Sequence, residues 1–494
     1  MNNGATFTAD WLAEALQGRI RQDGVPQNRQ IYRALREMIL AGQLTADCRL
    51  PSSRALAQEL AIARNTVLFA YEQLLAEGYL QTRHGSGSYV SAVLPAARRP
   101  EPKPAAPAMG GVSRRASQWL VALATRGERA PRSGHAFVPG RPDIQAFPLA
   151  VWQRLLARHW RQTNPAELDY LSAGGHSALK RALADYLKLA RSVDVAAEQI
   201  VVTSGTQQSL DLLARLLADA GDRAWVEEPG YPGTVAAFQA NGLRLQAMPV
   251  DGEGLNWQAS PGPSPRLIYI TPSHQYPTGS VMSLARRLAL LEYAAETGAW
   301  IIEDDYDSEF RYGGRPLAAL QGLDRNGQVA YLGTCSKMMF PGLRIGYMVL
   351  PLSLVEPARR MLARLYRETA YPQQLALADF IADGHLAMHI KRMRACYAQR
   401  QQLLRDHWQA ELGDAVPLTG GDTGIHLLAP LPAACDDRAI SLAVLAKDII
   451  APPLSEYCLS PEKQRGLVLG YAAVREEEMA PAVQHLAHCL TSFI

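Results

Sequence analysis

Apolar residues recur at helical spacing in three early segments, "IYRALREMILAG", "SRALAQELA" and "RNTVLFAYEQLLAEGYL". Further along the chain the pattern changes. Helical segments such as "SALKRALADYLKLA" and "SLDLLARLLADAG" alternate with the short β-prone runs "QIVVTS", "RAWVEE", "RLIYIT", "AWIIEDD" and "VAYLGT". This alternation predicts an α/β domain with a mainly parallel sheet and active-site loops at the strands' C-terminal ends. No internal repeat is visible.

Between the two regions, "AARRPEPKPAAPAMGGVSRRASQW" is rich in Pro, Ala and Arg and has little apolar periodicity. That is the composition of a partly extended, semi-stiff linker. The chain therefore divides into a module over residues 1–92 with its core at 28–92, a linker over 93–134, and a domain over 135–494. Its 494 residues accommodate the division, at roughly 100–200 residues per domain.

Hydrophobic residues at 48% and charged residues at 20% predict a folded chain. A formal net charge of +3 is too small to identify a nucleic-acid partner by itself. The six cysteines, Cys48, Cys335, Cys396, Cys435, Cys458 and Cys489, form no C-x-x-C pair. Their scatter argues against a zinc site or a disulfide framework, so no metal is assigned and a reducing cytoplasm fits best. The N-terminus "MNNGATFTADWLAEAL" has no basic region followed by an apolar run. No stretch approaches the roughly 18 apolar residues of a membrane span. Neither export nor membrane insertion is expected.

In "LPSSRALAQELAIARNTVLFAYEQLLAEGYL", Ser52 or Ser53 can cap a short helix, "AIA" makes a tight connection, and Asn65-Thr66 opens a second helix. This is helix-turn-helix spacing. Arg64, Asn65 and Thr66 in the first turn of the second helix are donors suited to phosphates and base edges in a major groove. "YLQTRHGSGSYVS" places two β-prone runs around a Gly-Ser-Gly turn with Arg83 and His84 at its edge. Such a hairpin can reach along a DNA backbone. Any compact three-helix unit shows the same periodicity, so the pattern alone leaves DNA binding open.

The C-terminal region carries four separate signals. "VVTSGTQQSL" puts Ser204, Gly205, Thr206 and Gln207 between a strand and a helix, where amides and hydroxyls can cradle a dianion. "WIIEDDYDSEFRY" ends an apolar strand in acids, among them Asp304, with Tyr306 beside them. "EEPGYPG" offers the Tyr231 ring on a Pro-Gly turn. "YLGTCSKMMFPGLRIGY" sets Lys337 after a β-prone run and seven residues before Arg344, with Thr334 and Ser336 nearby. Taken singly, these read as a helix cap, solvated loop acids, a packing tyrosine and a surface lysine.

Together they provide an amine, an acid for a pyridine nitrogen, phosphate donors and a flat face, the needs of an aldehyde cofactor such as pyridoxal phosphate. Positive charge from Arg344 is expected to lower the Lys337 pKa.

From Ile31 to Val90 the chain resembles the winged helix-turn-helix of GntR-type bacterial regulators, in "LPSSRALAQELAIARNTVLFAYEQLLAEGYL" and the wing "GSGSYV". The resemblance implies DNA contacts from Ser53, Arg54, Arg64, Asn65, Thr66, Arg83, His84 and Gly87. The module has arginines but no lysine, which favours a few placed contacts, doubled on paired half-sites, over a broad basic field.

From about Phe137 onward the chain resembles fold-type I pyridoxal-phosphate aminotransferases. Its "FVPGRPDIQAFP", "TPSHQYPTG", "EDDYDSEFRY" and "SKMMFPGLRIGY" resemble the variant found in MocR/GabR-type regulators. That implies a mainly parallel sheet with flanking helices and a smaller C-terminal subdomain.

It also implies Lys337 as the Schiff-base lysine, Asp304 as partner of the pyridine nitrogen and Tyr306 near the ring hydroxyl. Tyr231 would stack, and Ser204, Gly205, Thr206, Thr334, Ser336 and Arg344 would surround the phosphate. Tyr276 replaces the Asn of the aminotransferase "N-P-T-G" motif, with His274 and Gln275 before it as candidates for the missing polar contact. In "LVLGYA", Val468 stands where many aminotransferases carry a carboxylate-binding arginine. Arg465 and Arg141 are possible substitutes.

A bidentate clamp orients an amino acid for proton removal, so its loss argues against efficient transamination. The expected function is a transcriptional regulator sensing pyridoxal phosphate or its adduct with an amine or amino acid. The alternatives are an aminotransferase with an accessory module and a cofactor reservoir. The resemblance also implies a homodimer, with DNA modules exchanged between subunits.

Overall fold

The computed structural model describes residues 7–19, 25–83, 86–92, 135–165, 169, 173–260, 262–313, 318–366, 371–460 and 463–493. The chain forms two compact units, Met1–Arg115 and Ala116–Ile494. The expected linker, 93–134, lies outside the described residues.

In the first unit, helices α1 (Ala9–Gln17), α2 (Gln27–Leu40), α3 (Ser53–Glu59) and α4 (Arg64–Ala76) precede strands β1 (Leu80–Arg83) and β2 (Gly87–Val90). Leu35, Met38, Leu56, Val67, Leu74 and Val90 come from the apolar faces of these elements and share one core. Ser52 is the cap of α3, accepting the Ala55 N–H at 3.1 Å. The α3–α4 connection bends at Ala61, in the left-handed region at φ +51. The strands pair antiparallel with Leu80 opposite Val90. Helix α1 has no counterpart among the elements expected from sequence; its Leu12 and Leu16 complete the core.

The second unit holds strands β3 (Ile200–Thr203), β4 (Arg223–Glu228), β5 (Arg244–Asp251), β6 (Gly254–Leu255), β7 (Leu267–Ile270), β8 (Trp300–Asp305), β9 (Val329–Thr334) and β10 (Gly346–Val349). They form one sheet in the order β3-β10-β9-β8-β7-β4-β5-β6. Strands β5, β4, β7, β8 and β9 run parallel, while β10 runs against both its neighbours. The reversal follows from chain length. Residues 335–345 are too few for the crossover of roughly a dozen or more residues that a parallel return needs.

Every residue of β3, β7 and β9 is buried, as a sheet covered on both faces requires. Its helices include α5 (Leu149–Gln162), α6 (Ser177–Arg191), α7 (Thr206–Leu217), α8 (Pro232–Ala240), α9 (Leu284–Thr297), α10 (Leu352–Leu365) and α11 (Tyr371–Ala382).

The chain then continues through α12 (His385–Leu412), β11 (His426–Leu431), α13 (Asp437–Leu445), β12 (Arg465–Gly470) and α14 (Glu476–Thr491). Strands β11 and β12 pair antiparallel, and Trp408, Leu427, Leu469 and Leu486 bind them to α12 and α14 in a separate core. Among the described residues, no helix is long and apolar enough to cross a membrane.

Candidate functional site

The parallel strands deliver their C-terminal ends to one side of the sheet, and a cavity of about 330 Å³ opens there. Its lining includes Gly205, Thr206, Tyr231, Tyr276, Asp304, Tyr306, Thr334, Ser336, Lys337 and Arg344. Residues far apart in sequence thus meet at the place expected from strand order. Ser204 and His274, also singled out from sequence, are not among the lining residues.

Lys337 follows β9, and its Nζ donates to the Gly140 carbonyl at 2.7 Å. Gly140 has φ +67, and a Cβ there would sit 2.8 Å from Nζ, so the close approach depends on glycine. Burial lowers the Lys337 pKa, with Asp307 and Asp304 opposing it. The expected cause, the charge of Arg344, is not the one at work.

Asp304 closes β8. Its Oδ2 accepts from Tyr269 Oη at 2.8 Å, while its Oδ1 is buried with no partner among the described residues. Burial pushes its pKa up to about 7, against the Tyr269 hydrogen bond.

At the end of β3, Gly205 adopts φ +129, and an added Cβ would lie 3.9 Å from the Arg344 guanidinium. Gly346 of β10 is pressed against it, with room for no Cβ. Thr206 and Gln207 then start α7, so first-turn amides, which have no intrahelical acceptor, line the cavity beside Arg344.

Tyr231 precedes α8 with its ring folded over Gly233, where a Cβ would come within 2.4 Å of it. Its phenol is pushed up to about 12, first by burial and then by Asp304.

Tyr276 turns into the cavity, edge-on to Tyr306 at 5.7 Å and to Tyr231 at 6.0 Å. The two residues before it turn the other way. Gln275 Nε2 reaches Pro229 O at 2.8 Å and Glu227 Oε2 at 3.2 Å. His274 Nδ1 lies 2.9 Å from Asp307 Oδ1. These side chains brace the wall rather than supply the polar contact expected of them. His274, Asp307 and His426 have ligand-type atoms within 4.8 Å of one another, a grouping their hydrogen bonds account for.

Val468, on β12, is fully buried against Leu428 and Leu454, with Tyr457 packed on them. Arg465 pairs with Asp437 at 3.1 Å. Neither Arg465 nor Arg141 lines the cavity.

These residues fit pyridoxal phosphate. The open Asp304 Oδ1 matches a ring N–H, the Lys337 amine matches an aldehyde, and glycines with positive φ let the backbone approach a bound group. Gly140, Tyr269 and Tyr457 carry no local signal in the sequence that marks them for the site.

In the first unit, Arg54, Arg64 and Asn65 are exposed and Ser53 and Thr66 half-buried. Arg64 Nε lies 3.5 Å from Ser53 Oγ, across the α3–α4 turn. Arg83 is ion-paired with Asp47, and its guanidinium lies 4.4 Å from the Tyr89 ring centroid. Gly87 has φ +111 and faces the Arg49 side chain, a wing neighbour not foreseen from sequence. His84 lies outside the described residues.

Residues 144–486 match the family "Aminotransferase class I and II", and residues 27–90 match "Bacterial regulatory proteins, gntR family". The chain is 41% identical to the Probable rhizopine catabolism regulatory protein MocR of Rhizobium meliloti, over 94% of each chain. It is 32% identical to the HTH-type pyridoxine biosynthesis transcriptional regulator PdxR of Corynebacterium glutamicum, over 91% of this chain and 93% of that one. The kynurenine aminotransferase of Pyrococcus horikoshii, solved in complex with PMP, shares its fold at a TM-score of 0.67 and 26% identity. That likeness covers 77% of this chain and 95% of the enzyme.

Proposed function

The chain belongs to the gntR family of bacterial regulatory proteins and, through residues 144–486, to the class I and II aminotransferases; from that double membership we propose that Lys337 holds pyridoxal phosphate as the sensing group of a transcriptional regulator. The observation that carries this reading is the buried Asp304 Oδ1, without a partner among the described residues, in the same cavity as the Lys337 amine.

When bound, pyridoxal phosphate supplies an aldehyde that condenses with amines. Lys337 provides the resident amine, kept nucleophilic by burial. Asp304 would hold a proton at the ring nitrogen, Tyr306 would serve the ring hydroxyl and Tyr231 would cover the ring. Gly205, Thr206, Thr334, Ser336 and Arg344 take the phosphate.

The effector is an amine or amino acid that reaches Lys337's cofactor, or pyridoxal phosphate itself. Only a difference in its affinity for two states of the protein can change DNA binding. The winged unit contacts double-stranded DNA through Ser53, Arg54, Arg64, Asn65, Thr66 and the wing, as a cytoplasmic homodimer on paired half-sites.

Loading the full chain with pyridoxal phosphate, reducing it with borohydride and mapping the adduct by mass spectrometry tests the assignment. The adduct belongs on Lys337; an adduct on another lysine, or none, overturns it.

A further inference from the structure

His274 is 2% exposed, and its Nδ1 is surrounded by oxygens. Asp307 Oδ1 lies at 2.9 Å, Asp307 Oδ2 at 3.2 Å and Tyr306 Oη at 3.0 Å. One ring nitrogen carries at most one hydrogen, and a carboxylate only accepts. Asp307 Oδ2 already accepts the Ile425 N–H at 3.2 Å. The hydrogen therefore sits on His274 Nδ1, and Nε2 is the bare lone pair. Nε2 is the atom that finds no partner among the described residues, and a buried orphan acceptor is more readily tolerated than an orphan N–H.

Tyr306 Oη faces that same N–H. It accepts there, which turns its own hydrogen away from His274. Burial holds the Tyr306 phenol well above its ordinary pKa, so the hydrogen stays in place. Tyr306 lines the cavity with Lys337 and Asp304.

Resting on the cofactor reading above, we propose that His274 is a positioning residue. Asp307 fixes its tautomer, and its Nδ1–H holds the Tyr306 oxygen so that the Tyr306 hydroxyl donates into the cavity, toward the cofactor's ring oxygen.

The surroundings leave no competing donor on His274 Nδ1. From β11, the His426 ring lies tilted against His274 at 4.7 Å between centroids, and its Nε2 lies 3.2 Å from Pro277 O, where it donates. Burial pushes its pKa well below the ordinary histidine value, so the ring is neutral. The other titratable groups facing the pair are Tyr276 from the same loop and Tyr269 and Asp304 from β7 and β8. Gly424, at φ +84, admits the imidazole: a Cβ there would lie 1.9 Å from His274 Cε1.

The test is a spectrophotometric pH titration of the visible band of the cofactor-loaded full chain. A hydrogen bond donated to the ring oxygen stabilises its anionic form and eases loss of the proton beside it. Removing that bond raises the band's apparent pKa by about one unit.

His274→Phe is expected to shift the band upward as Tyr306→Phe does. His274→Asn, whose amide N–H can replace Nδ1–H, is expected to titrate like the wild type. A packing role predicts the reverse order, because Phe fills the space and Asn does not. An unmoved band in His274→Phe, or an equal shift in His274→Asn, overturns the proposal.

Should His274→Phe not fold, His274→Leu serves instead. It lacks the N–H and leaves the Asp307 charge in place, so the same upward shift is expected and an unchanged band is disproof. Wild-type protein that develops no visible band with added pyridoxal phosphate would defeat the cofactor reading and this one together. A normal wild-type band unmoved by His274→Phe defeats this one alone.

Discussion

Tyr269 and Asp304 share one hydrogen bond of 2.8 Å, and it is made by only one of the two carboxylate oxygens. The sheet sets the contact. Tyr269 on β7 stands opposite Ile302 on β8, and Asp304, two residues on, points to the same face. The phenol thereby fixes the carboxylate plane and leaves Oδ1 available to a ring nitrogen in the cavity.

Without cofactor, that arrangement costs stability as pH rises. Burial raises Asp304 to about 7, above the ordinary carboxylate range of roughly 4. The folded state keeps a proton that the unfolded chain gives up, so stability falls between those limits and is flat above about 7. Glu227 and Glu303 shift the same way, so the informative comparison is between variant and wild type. Asp304→Asn should raise the melting temperature of cofactor-free protein at pH 8 by roughly 2–4 °C, and by less at pH 5. Equal differences at the two pH values would refute the role given to burial.

Gly140→Ala tests the resting place of the lysine amine. The substitution imposes a left-handed conformation on Ala and puts a Cβ 2.8 Å from Nζ, at a backbone cost of roughly 1–2 kcal/mol. Slower and weaker uptake of pyridoxal phosphate, with the melting curve of the winged unit unchanged, is the expected result. Uptake at the wild-type rate and affinity would show that the Gly140 contact has no bearing on the site.

On the DNA side, Arg64 and Arg83 are expected to respond differently. Arg64→Ala should weaken operator binding by about 1–3 kcal/mol without changing cofactor content. Arg83 is held by Asp47 and Tyr89. Asp47→Asn releases it and should strengthen binding while steepening its dependence on salt. Titrations over a range of salt concentrations measure both, and an unchanged slope for Asp47→Asn would mean that Arg83 does not meet phosphate.

Strand-end residues were legible in the sequence because a parallel sheet sends all its C-terminal loops to one side. Asp304, Lys337 and Gly205 could be placed there from the order of strands and helices alone. Side-chain direction within a turn was not legible. In "SHQYPTG" only Tyr276 faces the cavity, because His274 and Gln275 are claimed by the buried acids Asp307 and Glu227. Gly140 was out of reach for another reason. It meets Lys337 across 197 positions, and nothing local marks it. Strand β10 carries no alternation of its own, and only the short connection from β9 forces its reversal.

The last prediction concerns turnover. Val468 is fully buried with Leu428 and Leu454, and Tyr457, packed against that cluster, meets Tyr276 Oη at 3.2 Å with its own hydroxyl. The apolar cluster that holds Val468 is thus joined through Tyr457 to Tyr276 of the cavity wall, and Arg465 is committed to Asp437. Loaded protein incubated with a panel of amino and keto acids should show spectral changes but steady turnover well below about 1 per second. Restoring the arginine alone should not help. Val468→Arg buries an unpaired guanidinium among apolar side chains, which costs several kcal/mol, so a lower melting temperature is expected before any gain in rate. Sustained wild-type turnover at about 1 per second or more would show instead that another group orients the substrate, and that the chain is an enzyme as well as a regulator.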